Sequence, residues 1–364
     1  MKGLVIWASC ECRSVMATYR ALFRELKCPG LVVFMRQSDI RQQTGFRADE
    51  FGDMQRCSLT GGVQQGHEII EGHPGWFHIF CEYQNDALCR SLLKYAKWHG
   101  ASIGILSESP CNMSAGVKRF LKKIYLKMLL PYKIRGVVAR ADFFVNCSGD
   151  DSGAERIGWP RQKIIPFGYF PPSIEGSHCV LRKAGAPLEI LATGILSRYR
   201  GADVLVEALA ILKSWHVPYH ATITQTGALF DELQRKAKSL DLPIAFPGRV
   251  SIDELVRLYE SCSVYVGAGR DEPWGMRLND ALNCGAPLLV SEGMGGAKLV
   301  RDYVCGSSFV RGDALGMAYE LRRFVEDKDF YRSCAEGAVK AAAQCSPEAK
   351  AKWLVNELAR FGWA

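Results

Sequence analysis

Short apolar runs alternate with amphipathic stretches along most of the chain, and this alternation constrains the fold more than any other feature. The first half contains GLVIWAS, GLVVFM, GWFHIFCEY, ASIGILSES and ADFFVNCS, and helical patterns such as SVMATYRALFREL stand between these runs. The second half repeats the scheme with LEILATG, HATITQTG, IAFPGRV, SVYVGAG and PLLVSE. Buried strands that alternate with helices are typical of a doubly wound parallel sheet. The chain is therefore predicted to be of the α/β class.

The length of 364 residues and one interruption of the alternation predict two domains. The segment PFGYFPPSIEGSH is rich in Pro and Gly, as linkers are. We expect one Rossmann-like domain over residues 1–170 and a second over residues 180–345, which face each other across a ligand-binding cleft. The region from Arg41 to Pro74 is rich in Gly, Gln and Thr and is predicted to be a long loop.

Composition and charge exclude several classes of protein. Hydrophobic residues make up 48% of the chain, and no window of about 18 apolar residues predicts a transmembrane helix. The start, MKGLVIWAS, is predicted to be a strand and not a signal peptide. The 14 cysteines form no CxxC pair, which argues against a zinc ribbon and favours reduced thiols in the cytoplasm. The net charge of +8 favours an anionic partner, but no aromatic-interleaved basic patch indicates nucleic-acid binding.

The stretch EPWGMRLNDALNCGAP, from Glu272 to Pro287, follows a predicted strand and carries two carboxylates around a glycine turn. Gly285 and Pro287 mark the end of a predicted helix. At the start of this helix, Gly275 leaves the first N–H groups without partners, which makes a binding site for a diphosphate. Glu272 is placed to reach a sugar hydroxyl, and Asp280 to accept hydrogen bonds from a ribose diol. The alternative is that both carboxylates are solvated charges beside a capped helix.

This stretch resembles the E-x7-E signature of retaining, nucleotide-sugar-dependent glycosyltransferases of the GT-B fold, family 4, with Asp280 as the second acid. The resemblance implies that residues 1–170 bind the acceptor and that residues 180–345 bind the nucleotide sugar. It also implies that the C-terminal helix, about residues 346–364, packs back on the first domain. Glu272 is then expected at the donor sugar. The donor nucleotide is expected to contact the residues around the glycine turn, which are Trp274, Gly275, Met276 and Asp280.

Two arginines are candidates for the cation that holds the donor diphosphate in this family. LATGILSRYRGADVLVEAL resembles the family segment G-R-L-x-x-x-K-G, with Arg200 at the position of the lysine. Ile195 stands where the family has an arginine, so Arg198 or Arg200 is expected to supply the missing charge through its planar fork. The segment FPGRVSIDELVRLYESCSVYV resembles another family stretch and places Arg249 and Val250 against the nucleotide base. The alternative for Arg198 and Arg249 is a solvated position on a loop.

The N-terminal half matches the family only in outline. Glu108 follows the predicted strand ASIGILSES and is a candidate for contact with an acceptor hydroxyl or the donor sugar; alternatively, it is a polar residue at a strand end. No Asp or Glu occurs from Ser109 to Ala141, and within residues 117–135 apolar and basic side chains follow a helical period. Such a helix is typical of contact with an anionic membrane surface. The alternative is a helix packed on the core with a solvated basic side.

The resemblance implies transfer of a hexose-type residue from a nucleotide diphosphate sugar to a hydroxyl of a glycan or lipid-linked acceptor, with retention of anomeric configuration. A helix N-terminus and arginines can stabilise the departing diphosphate, so no metal and no other cofactor is expected. Two alternatives stay open: an epimerase or hydrolase of the same fold, and a non-catalytic module that binds nucleotide sugars. The expected location is the cytoplasm, at the inner face of a membrane.

Overall fold

The computed structural model describes residues 2–9, 13–36, 54–110, 116–149, 151–172 and 185–363. It divides into two compact units, of which the N-terminal one comprises residues 1–172 and 347–364 and the C-terminal one comprises residues 173–346. Each unit contains one parallel sheet with helices between its strands, so the predicted α/β class with two Rossmann-like domains is confirmed. The second half of the predicted linker, residues 173–178, lies outside the described residues.

The strands of the described residues are short, as is usual in doubly wound sheets. In the N-terminal unit they are β1 (Leu4–Ala8), β2 (Gly30–Phe34), β3 (Gln55–Ser58), β4 (Phe77–Phe80), β5 (Ser102–Ser107), β6 (Phe143–Asn146) and β7 (Ile164–Pro166). In the C-terminal unit they are β8 (Leu188–Ala192), β9 (Tyr219–Thr224), β10 (Ile244–Gly248), β11 (Val264–Gly267), β12 (Leu288–Ser291) and β13 (Gly306–Phe309).

The helices connect successive strands, and the last of them returns to the first unit. They are α1 (Arg13–Leu26), α2 (Gly62–Gly72), α3 (Ala87–Trp98), α4 (Gly116–Ile124), α5 (Leu130–Arg140), α6 (Ser152–Arg156), α7 (Ala202–Ser214), α8 (Phe230–Ser239), α9 (Ile252–Ser261), α10 (Met276–Asn283), α11 (Ala297–Tyr303), α12 (Ala314–Glu326), α13 (Lys328–Gln344) and α14 (Pro347–Leu358). Among the helices of the described residues, none is long and apolar enough to cross a bilayer.

The N-terminal sheet has the strand order β3-β2-β1-β4-β5-β6-β7, and its paired strands are parallel. The order reverses between β1 and β4, where Leu4 stands opposite Phe77. Every residue of β1 is buried, as expected for a central strand that helices cover on both faces. The reversal creates a crevice at the carboxyl ends of these strands, which is the usual ligand position in such sheets.

The prediction of a loop from Arg41 to Pro74 is wrong for its second half, which contains β3 and α2. Three of the four residues of β3 are exposed, so this edge strand lacks the apolar run that marks a buried strand. In α2 the glycine Gly66 allows close packing, because a Cβ there would lie 2.4 Å from a methyl carbon of Leu92 on α3. Residues 41–53 of this predicted loop lie outside the described residues.

The C-terminal sheet has the strand order β10-β9-β8-β11-β12-β13, again with parallel pairs. The order reverses between β8 and β11, which pair through Val264 opposite Ile190. All four residues of β11 and all four of β12 are buried. The candidate site described below therefore lies at a rigid position, at the carboxyl ends of the central strands.

The C-terminal segment completes the N-terminal unit. Helix α14 packs along α1, and the Trp363 ring beyond it is fully buried. The Trp363 ring lies against Phe77 and Phe143, with centroid separations of 4.5 and 4.6 Å. Its Nε1 donates a hydrogen bond to Asp142 Oδ2 at 3.3 Å. The last residues of the chain are thus anchored to the sheet that the first residues begin.

The basic amphipathic segment forms α4, a π-helical turn at Tyr125–Leu129, and α5. Leu130 N–H donates to the carbonyl of Tyr125, five residues back. Pro131 follows directly, and its ring would clash with the carbonyl four residues back in a regular α-helix, so the wider turn relieves this clash. Side chains of residues 116–119 lie outside the described part.

Apolar side chains of this segment point to solvent. Six of them are between 40% and 68% exposed: Phe120, Leu121, Ile124, Met128, Leu129 and Tyr132. We call these six residues the exposed apolar face. The segment does pack on the core through other side chains, Tyr125, Leu126, Leu130 and Ile134, as the alternative predicted. The exposed apolar face is not part of that packing. Single exposed apolar residues are normal, but a continuous group of this kind marks an interaction surface.

Candidate active site

The loop after β8 forms the first wall of a pocket in the C-terminal unit. It contains a 3₁₀ turn at Arg198–Arg200, which Ser197 caps by accepting a hydrogen bond from the N–H of the last residue of the turn. Gly201 follows with φ of +71°, and a Cβ on it would lie 1.9 Å from the carbonyl oxygen of Ala268. Only glycine permits both this backbone conformation and this approach. The β8 loop is thereby held against the end of β11.

Arg270 fastens the same two loops together through its side chain and its backbone. Its guanidinium forms two hydrogen bonds with the Asp203 carboxylate, at 2.7 and 3.0 Å, and a further one with the carbonyl of Arg198. Its backbone N–H donates to the carbonyl of Tyr199 at 3.0 Å. Such a bidentate pair is stronger and more directional than a single contact. The position of the neighbouring Arg200 is therefore well determined.

The loop from Glu272 to Gly275 is joined to the loop after β12 by backbone hydrogen bonds. Glu272 N–H donates to the carbonyl of Gly293 at 3.0 Å, and its own carbonyl accepts from Gly295 N–H at 2.9 Å. Trp274 carbonyl accepts from Gly296 N–H at 2.9 Å. A Cβ on Gly296 would lie 2.7 Å from this same carbonyl, so a larger residue would push the two loops apart. Gly296 thereby allows the close approach of the two loops.

Gly275 makes the turn that starts α10. Its φ of +98° lies in the left-handed region, and a Cβ there would lie 2.4 Å from the methyl group of Met294. The first N–H groups of α10 have no carbonyl within the helix to which they can donate, because only Leu278 N–H reaches back to the carbonyl of Gly275. These N–H groups and the helix dipole favour an anion at this end of α10.

Arg200 and Glu272 meet as an ion pair at the mouth of this turn. The Glu272 side chain is only 10% exposed and that of Arg200 is 37% exposed. The pair lies in a pocket of the C-terminal unit. The described residues that line it with chemically active groups are Thr193, Arg200, Tyr265, Glu272, Gly275 and Arg277. The structure thus brings together three residues that the sequence singled out: Arg200, Glu272 and Gly275.

One wall of the pocket carries hydroxyl groups that stay neutral. Thr193 Oγ1 lies 3.0 Å from the hydroxyl oxygen of Tyr265 and 3.2 Å from that of Tyr259. Burial raises the pKa of Tyr265 to about 12, and burial with the nearby Tyr265 raises the pKa of Tyr259 well above its usual value. At neutral pH these groups offer hydrogen bonds without negative charge, so they do not repel an anionic ligand.

Arg277 lines the same pocket and was missed from the sequence. It is the second residue of α10 and is half-buried. A Cβ on Gly194 would lie 3.8 Å from Arg277 Nε, so the guanidinium group lies over the backbone of the β8 loop. The E-x7-E signature specifies no residue type at this position, so the resemblance did not identify Arg277. Cations are unfavourable in the first turn of a helix, so an arginine there could have indicated a functional residue from the sequence alone.

Three predicted residues lie on exposed or half-exposed loops away from the lining of this pocket. The Arg198 side chain is exposed, and only its carbonyl takes part in the loop contacts, with Arg270. Arg249 is exposed and Val250 half-buried, in the loop between β10 and α9. The structure therefore separates Arg198 from Arg200, which the sequence treated as interchangeable candidates for one charge.

The remaining predicted residues lie on α10 or just before it. The Trp274 ring is buried and its Nε1 donates to Asn279 Oδ1 at 2.8 Å, so the ring serves packing inside the unit. Met276 is exposed at the first position of the helix. Asp280 is half-buried one turn further along and is not among the described residues that line the pocket.

Glu108 lies in the N-terminal unit, directly after β5. Its carboxylate forms a hydrogen bond with the Tyr169 hydroxyl, and burial together with Cys147 and Glu108 raises the pKa of Tyr169 well above its usual value. Tyr19 OH lies 3.2 Å from Cys81 Sγ in the same neighbourhood, and burial raises the pKa of this thiol to about 12. The group stands at the carboxyl ends of strands β4 to β7 and combines the Glu108 carboxylate with neutral hydroxyls and thiols. The Glu82 carboxylate is also near and contributes to the raised pKa of Cys81.

The C-terminal unit matches a known family. Residues 175–341 match the family model described as glycosyl transferases group 1. This range contains all the residues of the pocket that β8, β11 and α10 form. The match therefore covers the candidate site but not the N-terminal unit.

Two curated proteins are similar to part of the chain. Mannosylfructose-phosphate synthase of Agrobacterium fabrum is 24% identical over 188 residues, which are 47% of this chain and 41% of that protein. GDP-mannose-dependent alpha-(1-6)-phosphatidylinositol dimannoside mannosyltransferase of Mycobacterium tuberculosis is 29% identical over 210 residues, which are 56% of this chain and 54% of that protein. The chain thus spans about half the length of the curated relatives that it matches.

The fold is similar to that of solved structures along the whole chain. The crystal structure of Anabaena Alr3699/HepE in complex with UDP aligns with a TM-score of 0.72 and 13% sequence identity, and the match covers 99% of this chain and 100% of that one. Together with the two parallel sheets, this likeness confirms the predicted GT-B fold class.

Proposed function

We propose that this protein is a glycosyltransferase that moves a hexose from a nucleotide diphosphate sugar to a hydroxyl group of a glycan or lipid-linked acceptor. The observation that carries this proposal is the Arg200–Glu272 ion pair beside the N-terminus of α10. One pocket thereby offers a cation and free N–H groups for a diphosphate, and a carboxylate for sugar hydroxyls. The family match of residues 175–341 supports the same chemistry.

Each group of the pocket has a role in this proposal. Arg200 and the first N–H groups of α10 hold the diphosphate and stabilise the charge that develops on it as the glycosidic bond breaks. Glu272 accepts hydrogen bonds from the donor sugar once Arg200 turns to the phosphates. Asp280, one turn along the helix, binds the ribose. In the N-terminal unit, Glu108 among its neutral hydroxyls contacts the acceptor hydroxyl.

We further propose that transfer retains the anomeric configuration and needs no metal. The cations and the helix N-terminus provide the electrostatic stabilisation that a divalent ion provides in other sites. Activity is then expected to be the same with and without EDTA, and loss of activity on chelation would contradict metal independence. The relatives' names include a GDP-mannose-dependent enzyme, and the similar solved structure holds UDP, so both bases belong in the donor panel.

A transfer assay with labelled UDP- and GDP-hexoses and a mixed glycan and glycolipid acceptor fraction tests the function. Incorporation of label supports the glycosyltransferase. Release of free sugar or of a sugar isomer without incorporation would instead indicate the epimerase or hydrolase. Binding of donor without any turnover would indicate a non-catalytic module.

The Arg200→Gln variant tests the site within the same assay. Loss of the charged fork is expected to reduce kcat/KM by about a hundred-fold or more, as for removal of one transition-state donor. Arg301→Gln is the matched control, because Arg301 is exposed on α11 and does not line the pocket. Circular dichroism checks that both variants fold. Equal activity of Arg200→Gln and Arg301→Gln would contradict the assignment of the diphosphate site.

We also propose that the exposed apolar face meets an anionic membrane surface where a lipid-linked acceptor is held, on the cytoplasmic side. Lys122, Lys123 and Lys127 lie in the same segment, and the apolar side chains between them are solvent-exposed. Apolar insertion and attraction of lysines to anionic headgroups act together in such helices. Residues 117–119 complete the predicted helix, although their side chains lie outside the described part.

Flotation with vesicles tests this contact. The protein is expected to float with vesicles that contain phosphatidylglycerol, less with pure phosphatidylcholine, and less at high salt. Met128→Glu is expected to weaken flotation without loss of stability, because the Met128 side chain makes few contacts to lose. The control Val339→Glu changes an equally exposed apolar residue on α13 of the other unit. Equal flotation of both variants would contradict the proposed surface.

A further inference from the structure

We propose that Arg277 is a second diphosphate-binding residue, which shares the two phosphates of a nucleoside diphosphate with Arg200. This inference rests on the proposed function and adds a residue to its site. It is carried by the place of Arg277 in the pocket, by its lack of a partner among the described residues, and by its unfavourable position in α10.

Arg277 and Arg200 approach the pocket from different elements. Arg200 comes from the β8 loop, and Arg277 from the first turn of α10, with both lining one pocket. Gly194, which has φ of +127°, carries no side chain at the point where Arg277 Nε passes. The Arg277 side chain therefore passes close to the backbone of the β8 loop where it lines the pocket. A planar fork of this kind matches phosphate oxygens.

The residues that line the pocket include two cations, Arg200 and Arg277, and one carboxylate, that of Glu272. Arg200 pairs with Glu272, but no described residue forms an ion pair or a hydrogen bond with the Arg277 side chain. Tyr265 lies close enough for Arg277 to act on its pKa, yet burial keeps that phenol neutral. The Asp280 carboxylate lies close enough to act on the pKa of the same tyrosines as Arg277. A half-buried guanidinium without a direct ion-pair partner is nevertheless unfavourable. A diphosphate ester carries one negative charge on each phosphate, so a second cation completes its neutralisation.

The position of Arg277 in the first turn of α10 also argues against a purely structural role. The N-terminus of a helix carries roughly half a positive charge, so a cation in the first turn is repelled. A residue that serves only the fold would be neutral or acidic there. An arginine at this position costs stability in the free protein and gains it when an anion binds between the cation and the helix. Ile195, next to Gly194, is exposed and apolar, so it brings no charge to the place where Arg277 lies.

Calorimetric titration of UDP, GDP and ADP, and of the nucleoside of whichever binds, tests this role. Arg277→Gln is expected to bind the diphosphate at least about ten-fold more weakly, as for the loss of one charged hydrogen bond. Its affinity for the nucleoside is expected to stay within about two-fold, since the charge acts on phosphate only. The matched control is Arg235→Gln, which removes an exposed arginine of α8. That control is expected to leave both affinities unchanged.

Two further measurements separate binding from folding. The urea midpoint of Arg277→Gln is expected to equal or exceed that of the wild type, because the repulsion by the helix dipole is removed. The double variant Ile195→Arg, Arg277→Gln restores a positive charge beside Gly194 and is expected to recover most of the lost affinity for the diphosphate.

Three outcomes would overturn the inference. Unchanged diphosphate affinity in Arg277→Gln would remove Arg277 from the site and leave the proposed function intact. An equal loss of nucleoside affinity, or a lower urea midpoint, would show that Arg277 supports the pocket structurally. Failure of the wild-type protein to bind any of the three diphosphates would overturn the proposed function as well.

Discussion

Arg200 is held in position by three residues that do not line the pocket themselves. Ser197 caps its turn, Arg270 fastens that turn to the end of β11, and Gly201 lets the two loops touch. The backbone at Arg200 is therefore held in place by a rigid support, so only the side chain has to turn from Glu272 to a bound diphosphate.

Replacement of Gly201 by alanine tests this support. The φ of +71° is unfavourable for alanine, by about 1–2 kcal/mol. In addition, the Cβ would overlap the Ala268 carbonyl, and overpacking adds about 1–3 kcal/mol. Gly248→Ala is the matched control, because its φ is +75° but the nearest atom to its Cβ lies 3.9 Å away. Urea unfolding is expected to show a clearly larger loss of stability for Gly201→Ala, and equal losses would contradict the close approach.

Residues of the signature could be predicted from the sequence, and residues outside it could not. Glu272, Gly275 and Arg200 were identified by resemblance and by the chemistry of a helix start, and the structure places them together. Arg277 occupies a variable position of the signature, so only the fold shows that its side chain passes Gly194. A sequence pattern gives residue types, whereas the direction of a side chain depends on the packing of distant segments.

The elements were predictable where they are buried and much less where they are exposed. The central strands β1 and β11 are buried along their whole length because helices cover both faces. Edge strand β3 has mostly exposed residues, so its sequence contains no apolar run that would predict a strand. Helix α2 was missed for a related reason, because its glycines and glutamines are typical of loops. The amphipathic pattern of α4 was recognised, but periodicity alone could not tell an apolar face that packs inward from one that faces solvent.

The packing of the C-terminal segment on the N-terminal sheet is expected to contribute strongly to stability. Trp363→Ala removes a buried ring from between Phe77 and Phe143 and is expected to lower the free energy of unfolding by about 3–5 kcal/mol. Trp98→Ala removes a ring that is largely exposed, so the expected change is within about 0.5 kcal/mol. Denaturant unfolding followed by circular dichroism compares the two. A small loss for Trp363→Ala would contradict the docking of this segment on the N-terminal sheet.

In the molecule as a whole, both units repeat one plan, and each carries polar groups at the carboxyl ends of its strands. The C-terminal unit has two arginines and a carboxylate beside a helix start, and the N-terminal unit has Glu108 among neutral hydroxyls and thiols. In the proposed function, the first set binds the anionic donor and the second contacts the hydroxyl of the acceptor. This division of charge agrees with a transfer reaction between two substrates. The two-domain plan was predictable from the alternation of strands and helices, whereas the burial around Glu108 was not.

The central claim is that the C-terminal pocket holds the diphosphate of a nucleotide sugar, and a crystal structure with a bound nucleoside diphosphate tests it most directly. The account predicts phosphate oxygens within about 3 Å of the Arg200 guanidinium and of the first N–H groups of α10. Arg200 is then expected to have left Glu272, whose carboxylate becomes free for the sugar. A diphosphate bound elsewhere, with the Arg200–Glu272 pair unchanged, would contradict the account.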